Sequence, residues 1–405
     1  MSIQKPRALG AFYLNSFITL LLANMFHYSL IIISNDLIGS KAFTGILFFS
    51  IFVPILFLTP FVGRLLDNKN RRTILFVGQV ITLLAYTSLF ISQWLNVPNN
   101  VLPFLLMVMA LIMGTSLAIV VPARMALLAD IVSKEKLANA TATSALFPML
   151  GFSLAPACVG FLQNLLGSPS YFELLIIFQI VAMYLIILIP SQLNTPSNFK
   201  EEMPLKGYLA KTPLLRETLL FFCLMIFIIG PFQTLLPVLL VEELGVSNIQ
   251  RGLFMSSLGI GLLFGGILSR LYIGSLIKLG RIIFIVGGLI GVLVAFIASA
   301  STASTAVVLL FITGALLGFG ASALTVLIQD VTDERYRGRL TALFSLIFQL
   351  APALGGLVMG VIAQASNTRA SLMVAAFIIL GTSVILYLVF TQLNGARLQQ
   401  KIANG

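Results

Sequence analysis

Long apolar runs recur along the whole chain, and they constrain its fold more than any other feature. About twelve such runs, each of roughly 20 residues or more, are separated by short polar gaps. An α-helix needs about 20 mostly apolar residues to cross the hydrocarbon core of a bilayer. Only 9% of the 405 residues are charged, whereas an ordinary soluble domain has about 25%. The pattern therefore predicts an all-α integral membrane protein with twelve transmembrane helices.

The apolar runs place the predicted helices to within a few residues at each end. Six fall in the first half of the chain, at 8–33, 42–63, 73–95, 101–128, 137–166 and 172–189. Six more fall in the second half, at 214–241, 250–273, 281–300, 305–328, 340–364 and 370–393. Because the number of crossings is even, both ends of the chain are expected on the same side of the membrane.

A polar segment interrupts the series between the two sets of helices. It contains four prolines, Pro190, Pro196, Pro204 and Pro213. Prolines clustered in polar sequence are typical of a loop or a linker. The predicted domains are an N-terminal six-helix bundle (1–190), a cytoplasmic linker (191–213) and a C-terminal six-helix bundle (214–405).

The two predicted bundles resemble each other in sequence. Asp130 and Asp330 lie 200 positions apart, and Gly160 and Gly360 have the same spacing. Both copies run in the same direction and each contains an even number of helices, so we expect two bundles related by a pseudo-twofold axis along the membrane normal. In transporters with this kind of repeat, the substrate binds between the halves and transport occurs as the halves rock.

The basic residues are distributed unevenly between the two sides of the predicted membrane. Most of them, including those in 64–72 and 335–339, lie on the side of the chain termini, which we call the inner side. Short cytoplasmic loops carry an excess of Lys and Arg, so both termini are predicted to be cytoplasmic. This bias also accounts for the net charge of +11 without a nucleic-acid partner. Only three basic residues fall at the outer ends of helices: Lys41, Arg251 and Arg369.

Three segments resemble a known family. The loop that contains Gly63, Asp67, Arg71 and Arg72 resembles the signature loop of the major facilitator superfamily, in which an Asp follows a Gly by four residues and precedes a basic pair. Two more segments, 121–130 and 333–340, are similar to the drug:proton antiporter branch that contains macrolide efflux proteins and the enterobactin exporter. Bacterial lysophospholipid transporters are a more distant similarity.

The resemblance implies a fold and a function. It implies the major facilitator fold, in the inner membrane of a bacterium, and export of an amphipathic organic compound such as a drug or a siderophore by alternating access. Proton entry would drive the export. Two alternatives stay open: a lysophospholipid flippase, and a carrier of a nutrient or a metal ion. The expected partners are the small-molecule substrate, the proton gradient and membrane lipids, and the protein is expected to be monomeric.

The resemblance also implies a group of gating residues near the inner ends of helices. They are Gly63, Asp67, Arg71, Arg72, Asp130, Gly338 and Arg339. The Asp67 carboxylate can hold a member of the basic pair, or it can face the N-terminus of the predicted helix 11, where unpaired backbone N–H groups favour a negative charge. A solvated loop charge is the other interpretation. We expect Asp130 to contact the basic pair.

Arg124 is a charged residue inside a predicted transmembrane helix. An arginine at the centre of such a helix costs about 2.5–3.5 kcal/mol on insertion scales, so it needs a partner or access to water. Two interpretations are open. The guanidinium either snorkels to lipid phosphates on the inner side or lies in the substrate cavity.

Four further polar residues inside predicted helices are candidates for the substrate cavity: Asn24, His27, Gln233 and Gln349. Asn24 and His27 are three residues apart and so share a helix face. His27 is the only histidine of the chain, and its ordinary pKa of about 6.5 suits proton exchange. Alternatively, His27 is a neutral residue hydrogen-bonded between helices. Asp36 and Glu242, which lie 206 positions apart at outer helix ends, are the other candidates for proton coupling.

The sequence contains none of the motifs that would indicate an enzyme. It has no G-x-x-x-x-G-K-[ST] loop for a nucleotide, which argues against an ATP-driven pump. Its two cysteines, Cys158 and Cys223, lie inside apolar runs and are expected to be small buried residues rather than ligands. We therefore predict no catalytic residue, no cofactor and no bound metal.

Overall fold

The computed structural model describes residues 6–95, 97–98, 100–190, 205–272, 279–333 and 336–396. In these ranges every regular element is helical and no strand occurs. Twelve spans in the described ranges are long and apolar enough to cross a membrane, six of them before residue 190 and six after residue 212. The prediction of an all-α membrane protein with twelve transmembrane helices is therefore confirmed.

The first half of the chain contains seven helices and one π-helical turn in its described part. They are α1 (Pro6–Ile33), a first π-turn (Ser34–Ile38), α2 (Lys41–Asn68), α3 (Arg71–Trp94), α4 (Leu102–Ile131), α5 (Lys134–Ser144), α6 (Leu146–Leu166) and α7 (Ser168–Ile187).

The second half has the same general pattern, with more interruptions. Its described elements are α8 (Leu205–Lys211), α9 (Pro213–Phe227), α10 (Ile229–Thr234), α11 (Leu236–Val238), a second π-turn (Leu239–Glu243), α12 (Asn248–Tyr272), α13 (Leu279–Ala298), α14 (Ala303–Val331), α15 (Arg337–Ala365), α16 (Thr368–Val389) and α17 (Thr391–Asn394). The short α8 lies inside the predicted linker, of which residues 191–204 fall outside the described part. The domain boundaries themselves stay a prediction.

Three of the predicted helices are divided in the structure: 370–393 is split into α16 and α17 at Phe390, and two others are split beside prolines. The predicted helix 137–166 is divided into α5 and α6 between Ser144 and Leu146. Proline has no backbone N–H, so Pro148 cannot donate to the carbonyl four residues earlier, that of Ser144. The break lies where that hydrogen bond is missing.

The predicted helix 214–241 is broken for the same reason. α9 ends at Phe227 and α10 ends at Thr234. Pro231 lies four residues after Phe227, and Pro237 lies three residues after Thr234. Each proline removes a hydrogen bond at the end of the preceding helix, and the second π-turn completes the span.

The two π-turns occupy equivalent places in the two halves. The first contains Asp36 and is followed by Gly39, and the second contains Glu242 and is followed, after Leu244, by Gly245. Both glycines have positive φ angles, of 68° and 63°, which a residue without Cβ adopts at little cost. Because Asp36 and Gly39 are each 206 positions before Glu242 and Gly245, the repeat is visible in the backbone as well as in the sequence.

The chain forms two compact units. The first unit comprises Met1–Ser40, Ile46–Phe199 and Ser247–Ser256, and the second comprises Lys41–Gly45, Lys200–Val246 and Ser257–Gly405. Each unit is therefore built mainly from one half of the chain and includes the beginning of one helix, α12 or α2, whose remainder belongs to the other unit.

In the first unit, the beginning of α12 packs closely on α6. A Cβ atom added at Gly160 would lie 2.8 Å from the carbonyl oxygen of Asn248, and one added at Gly252 would collide with the carbonyl oxygen of Pro156. Small residues at such crossings let two helix backbones approach each other closely.

In the second unit, the beginning of α2 packs in a similar way on α15. A Cβ atom at Gly45 would lie 2.6 Å from the carbonyl oxygen of Gly356, and one at Gly360 would lie 2.7 Å from that of Lys41. The two short segments, 247–256 and 41–45, are thus held by the same kind of glycine contact.

A polar seam joins α1, α3 and α7 in the core of the first unit. The side chains of Asn15 and Gln79 exchange two hydrogen bonds, of 3.3 and 3.2 Å. Asn15 also donates to the carbonyl of Ala182 at 2.6 Å, and Gln79 donates to the hydroxyl of Thr19 at 2.9 Å. Gln179 is fully buried beside them, and its Oε1 has no hydrogen-bond partner in the described ranges. We call these residues the amide seam.

An apolar seam joins α9, α13 and α16 in the second unit. The Phe221 ring is fully buried and meets the Phe284 ring edge to face, with centroids 4.6 Å apart. Gly287 makes room for it, because a Cβ atom there would lie 2.8 Å from Phe221 Cζ and 2.7 Å from Ser383 Oγ. Tyr387 packs on the other side of Phe284 at 5.8 Å. We call these residues the aromatic seam.

Candidate functional site

An ion pair at the inner end of the first unit joins α3 to α4. Arg71 Nη1 donates to Asp130 Oδ1 at 2.6 Å and to the carbonyl of Ala126 at 3.2 Å. α3 begins at Arg71 because the Asn70 side chain caps it, accepting from the backbone N–H of Arg72 at 3.0 Å. The expected contact between Asp130 and the basic pair is therefore present.

The second basic residue binds another element. Arg72 Nη1 donates to the carbonyl of Ile189, just beyond α7, at 2.8 Å. Asp67 is exposed, and in the part of the chain that the structure describes no ion pair joins it to Arg71 or Arg72. The basic pair is one of the two partners considered for Asp67, and it already binds Asp130 and the carbonyl of Ile189.

The other gating candidates lie in α2 and α15. A Cβ atom at Gly63 would have no heavy atom within 4 Å. Gly338 and Arg339 lie in the first turn of α15, where Arg339 is exposed. The gating role of this group stays a prediction.

Arg124 lies two turns before the end of α4 and is only 5% exposed. Its Nε and Nη1 have no hydrogen-bond partner among the described residues, and it stands beside the buried apolar residues Ala123 and Leu127. A snorkelling guanidinium would be exposed at its charged end. The burial of Arg124 therefore argues against the snorkelling interpretation.

Asn24 and His27 lie half-buried on α1. The Asn24 side chain donates to the carbonyl of Leu20 at 2.8 Å. His27 lies beside the Phe52 ring of α2, with centroids 6.2 Å apart, and its buried Nε2 has no hydrogen-bond partner in the described ranges. The hydrogen bond between helices that the alternative interpretation requires is not made by this nitrogen.

The two glutamine candidates belong to the second unit. Gln233 is half-buried in α10. Gln349 is half-buried in α15 and donates to the carbonyl of Ser345 at 3.1 Å, within its own helix. Neither amide is committed to a neighbouring helix by these contacts, so both stay candidates for substrate contact.

Asp36 forms a bidentate ion pair at the outer end of the first unit. Arg251 Nη1 and Nη2 donate to Asp36 Oδ1 and Oδ2 at 3.1 and 3.3 Å. The Arg251 side chain is 4% exposed and the Asp36 side chain is 45% exposed. A planar guanidinium matches a carboxylate in this geometry, which holds both groups in one orientation.

Among its described residues, the second unit has two further ion pairs at its outer end. Lys41 Nζ lies 3.5 Å from Glu242 Oε2. Arg369 forms an ion pair with Glu243 and also donates to the carbonyl of Ala298 at 2.8 Å. The sequence identified Lys41, Arg251 and Arg369 as the basic residues at outer ends, but not as the partners of these acids. Their position at outer helix ends, away from most other basic residues, was the feature of the sequence that could have indicated these ion pairs.

One buried carboxylate was missed by the sequence analysis. Glu217 in α9 is 8% exposed, and its Oε2 accepts a hydrogen bond from the backbone N–H of Leu393 at 2.7 Å. Leu393 lies in α17, so Glu217 satisfies an amide that the short helix leaves unpaired. A glutamate within an apolar run was the available signal.

A model of the Major Facilitator Superfamily matches residues 12–310 and 263–403 of the sequence. The chain belongs to the major facilitator superfamily. It is thus a multi-pass membrane protein with the fold of a small-molecule transporter. The resemblance seen in the sequence is confirmed at the level of the superfamily.

Solved structures of several transporters are similar to this chain. A bacterial homologue of the human lysosomal transporter Spinster has a TM-score of 0.74 and 13% identity, covering 97% of this chain and 98% of its own. The nucleoside transporter NupG has a TM-score of 0.73, 13% identity and coverages of 95% and 99%. A D-xylose–proton symporter has a TM-score of 0.72, 13% identity and coverages of 98% and 99%. At these identities the likeness shows the fold alone, and no curated protein sequence matches the chain.

Proposed function

We propose that this transporter exports an amphipathic organic compound, such as a drug or a siderophore, in exchange for protons. The proposal is carried by Arg124, a buried guanidinium whose Nε and Nη1 have no partner in the described ranges. A charge inside a transmembrane helix is costly, and it usually marks the path of a substrate or an ion. A substrate with a carboxylate or another strong acceptor would satisfy those two nitrogens.

The neutral polar residues support the amphipathic character of the substrate. Four half-buried polar side chains lie within otherwise apolar helices: the amides of Asn24, Gln233 and Gln349 and the imidazole of His27. Helices with a few polar groups and much apolar area bind a substrate by surface contact more than by fixed hydrogen bonds. Such surfaces accept related compounds with loose specificity.

We assign proton coupling to His27, Asp36 and Glu242. His27 has a buried Nε2 without a partner in the described part of the chain, so a proton arriving there displaces no hydrogen bond. Asp36 and Glu242 are held by Arg251 and Lys41. A carboxylate released from a basic partner binds a proton more readily, which couples proton entry to the breaking of these pairs.

We assign gating to the junction of α2 and α3, with Asp67, in the last turn of α2, as the charge that acts. Asp67 is exposed and, in the described ranges, forms no ion pair with Arg71 or Arg72, so its charge can act on another group. Asp67→Asn should abolish transport while expression and folding stay normal. Glu173→Gln, an exposed acid at the outer end of α7, is the matched control, and full transport by Asp67→Asn would remove the gating role.

The excess of basic residues on the inner side supports an orientation and a location. We propose a monomer in the inner membrane of a bacterium, with both termini in the cytoplasm, acting on its substrate, on protons and within its lipids. Impermeant labelling of a cysteine added at either terminus in intact cells tests the orientation. Labelling without disruption of the cells would contradict it.

The substrate class is tested by uptake into inverted membrane vesicles, with and without an imposed pH gradient, across drugs, siderophores and lysophospholipids. Accumulation of a drug or siderophore that requires the gradient would support the proposal. Movement of a lysophospholipid without the gradient would favour a lipid transporter instead. Uptake of a sugar, a nucleoside or a metal ion would favour the nutrient or metal alternative.

Arg124→Gln should abolish gradient-driven accumulation, because it removes the charge that the substrate is proposed to meet. Arg64→Gln is the matched control, since Arg64 is exposed at the inner end of α2 and lies over the Phe61 ring. Equal loss in both variants would remove Arg124 from the proposed path.

A further inference from the structure

The short helix α8 stands in the segment between the two halves of the chain, yet it is docked. Tyr208, at its centre, is only 7% exposed, whereas its neighbours Lys206 and Ala210 are exposed. A seven-residue helix is too short to be stable on its own. Its order must therefore come from packing against the rest of the second unit, through Tyr208 and through the partly buried Leu205 and Leu209.

Tyr208 stacks on Tyr336, the residue that immediately precedes α15. The two ring centroids are 4.0 Å apart and the ring planes differ by 9°. Tyr336 is itself only 8% exposed. In such a stack each ring covers one face of the other, which buries apolar area on both rings and shields it from solvent.

A hydrogen bond fixes the same tyrosine to the loop between α14 and α15. The backbone N–H of Asp333 donates to the Tyr208 hydroxyl at 3.1 Å. These two contact residues are also joined to each other, because the backbone N–H of Tyr336 donates to the carbonyl of Asp333 at 3.0 Å. One side chain of α8 therefore holds both of these residues.

The stacked rings rest on an apolar base that joins three transmembrane helices. It consists of Leu215 and Leu219 from α9, Ile328 from α14 and Leu340 from α15, all buried. α8 is thus attached to the inner ends of these helices at one cluster, which lies wholly within the second unit.

The beginning of α15 depends on this cluster. Tyr336 occupies its N-cap position, and its side chain makes no capping hydrogen bond. An uncapped helix end leaves its first N–H groups to other partners, so packing of the Tyr336 ring is what positions the first turn. That turn contains Arg339, one of the gating candidates.

We propose that α8 is a clasp. Through Tyr208 it holds Asp333 and Tyr336, and with them the first turn of α15, to the second unit. Any movement of the first turn of α15 must then carry α8 with it or break the Tyr208–Tyr336 stack. The inference goes beyond the proposed function, because it holds for any substrate and any coupling ion.

The clasp is tested with purified full-length protein in lipid nanodiscs, without a substrate. Lys206 and Lys211 flank Tyr208, so trypsin can cut within α8 only when the helix is undocked. Hydrogen exchange of the peptide that covers 332–340 reports the loop. The variants are Tyr208→Ala, Tyr208→Phe and Tyr336→Ala, with Tyr184→Ala as a matched control, because Tyr184 is exposed on α7 in the first unit.

Tyr208→Ala should speed cleavage roughly tenfold, because an aromatic pair contributes about one factor of ten in an equilibrium constant. Exchange of the 332–340 peptide should accelerate in parallel. Tyr208→Phe keeps the stack and loses only the hydroxyl, so its cleavage rate should fall between those of wild type and Tyr208→Ala. Tyr336→Ala should match Tyr208→Ala, and the double variant should be no faster than either, because both remove the same stack.

Two results would overturn the clasp. One is cleavage of Tyr208→Ala at a rate within about twofold of the wild-type rate. The other is a double variant whose increase in cleavage rate equals the product of the increases in the two single alanine variants. If Tyr208→Ala does not fold, Tyr208→Leu replaces it, because leucine keeps apolar volume on the same base and lacks the flat ring and the hydroxyl. None of these results depends on transport, so failure of the clasp and failure of the proposed function are distinguishable.

Discussion

The amide seam of the first unit and the aromatic seam of the second occupy equivalent places in the repeat. Asn15 lies 206 positions before Phe221, the spacing that relates the two π-turns, and Gly78 lies 209 positions before Gly287. In the first unit α1 meets α3 through hydrogen bonds between Asn15 and Gln79. In the second, α9 meets α13 through the Phe221 ring, which fills the space beside Gly287.

The difference shows that one helix arrangement can be held by two kinds of contact. The hydrogen bonds of the amide seam are directional. If one partner is removed, the apolar core offers no other group to bind the partner that remains. The aromatic seam depends on volume, because helices in lipid gain little from apolar burial and much from close packing. The two seams should therefore respond differently to the same kind of substitution.

The largest effect is expected in the aromatic seam. Phe221→Ala should lower the free energy of unfolding by about 3 kcal/mol, because it opens a cavity that Gly287 cannot fill. Unfolding in mixed detergent micelles measures the change. Phe296→Ala is the control, since Phe296 is 58% exposed on α13. A loss of less than about 1 kcal/mol would mean that the seam does not depend on this ring.

A smaller effect is expected for the amide seam. Gln79→Leu keeps the volume and removes the partners of Asn15 and Thr19, so it should lower the free energy of unfolding by about 1–2 kcal/mol. The same micelle assay applies, with Gln392→Leu, an exposed site on α17, as the control. An effect as large as that of Phe221→Ala would erase the predicted contrast between the seams.

The coupling within the amide seam gives a sharper test. Asn15→Leu combined with Gln79→Leu should lower the free energy of unfolding by about 1 kcal/mol less than the sum of the two single changes. Each single variant leaves one amide without its partner, whereas the double variant contains neither amide. A four-corner cycle of unfolding free energies measures this. Strict additivity would show that the two hydrogen bonds contribute nothing as a pair.

The smallest effect is expected at the edge of the seam. Gln179 donates to the carbonyl of Gln79 at 3.5 Å, the limit for a hydrogen bond, and its Oε1 is buried without a partner in the described ranges. Gln179→Leu removes this unpaired acceptor and should change the free energy of unfolding by less than about 0.5 kcal/mol, or raise it slightly. A clear loss would show that Gln179 stabilises the seam.

Local properties of the sequence were enough to predict the twelve helices and the contact between Asp130 and the basic pair. The length and hydropathy of each helix are encoded within its own apolar run. Asp130 and the basic pair lie at helix ends that the predicted order of crossings places on the same side of the membrane. The breaks in two helices were also accessible in principle. Pro148, Pro231 and Pro237 each remove one backbone hydrogen bond, and treating them as breaks would have placed the ends of α5, α9 and α10.

Contacts between distant runs were not accessible. Asn15 and Gln79 are 64 residues apart, and nothing in their spacing pairs them. Glu217 resembles a charge near a helix end until its bond to Leu393, 176 residues later, is seen. The docking of α8 was hidden in the same way, because one tyrosine in a polar segment gives no indication of a stack with Tyr336. These features depend on which helices adjoin, which a single sequence does not state.

Proton flux during substrate movement tests the proposed exchange of substrate for protons. Purified protein in liposomes, with a pH-sensitive dye inside, is given an outward or inward substrate gradient in the absence of any imposed pH difference. Counter-movement of protons that stops in Arg124→Gln and persists in Arg64→Gln is the predicted result. Substrate movement at full rate with no change in internal pH would contradict proton-coupled export.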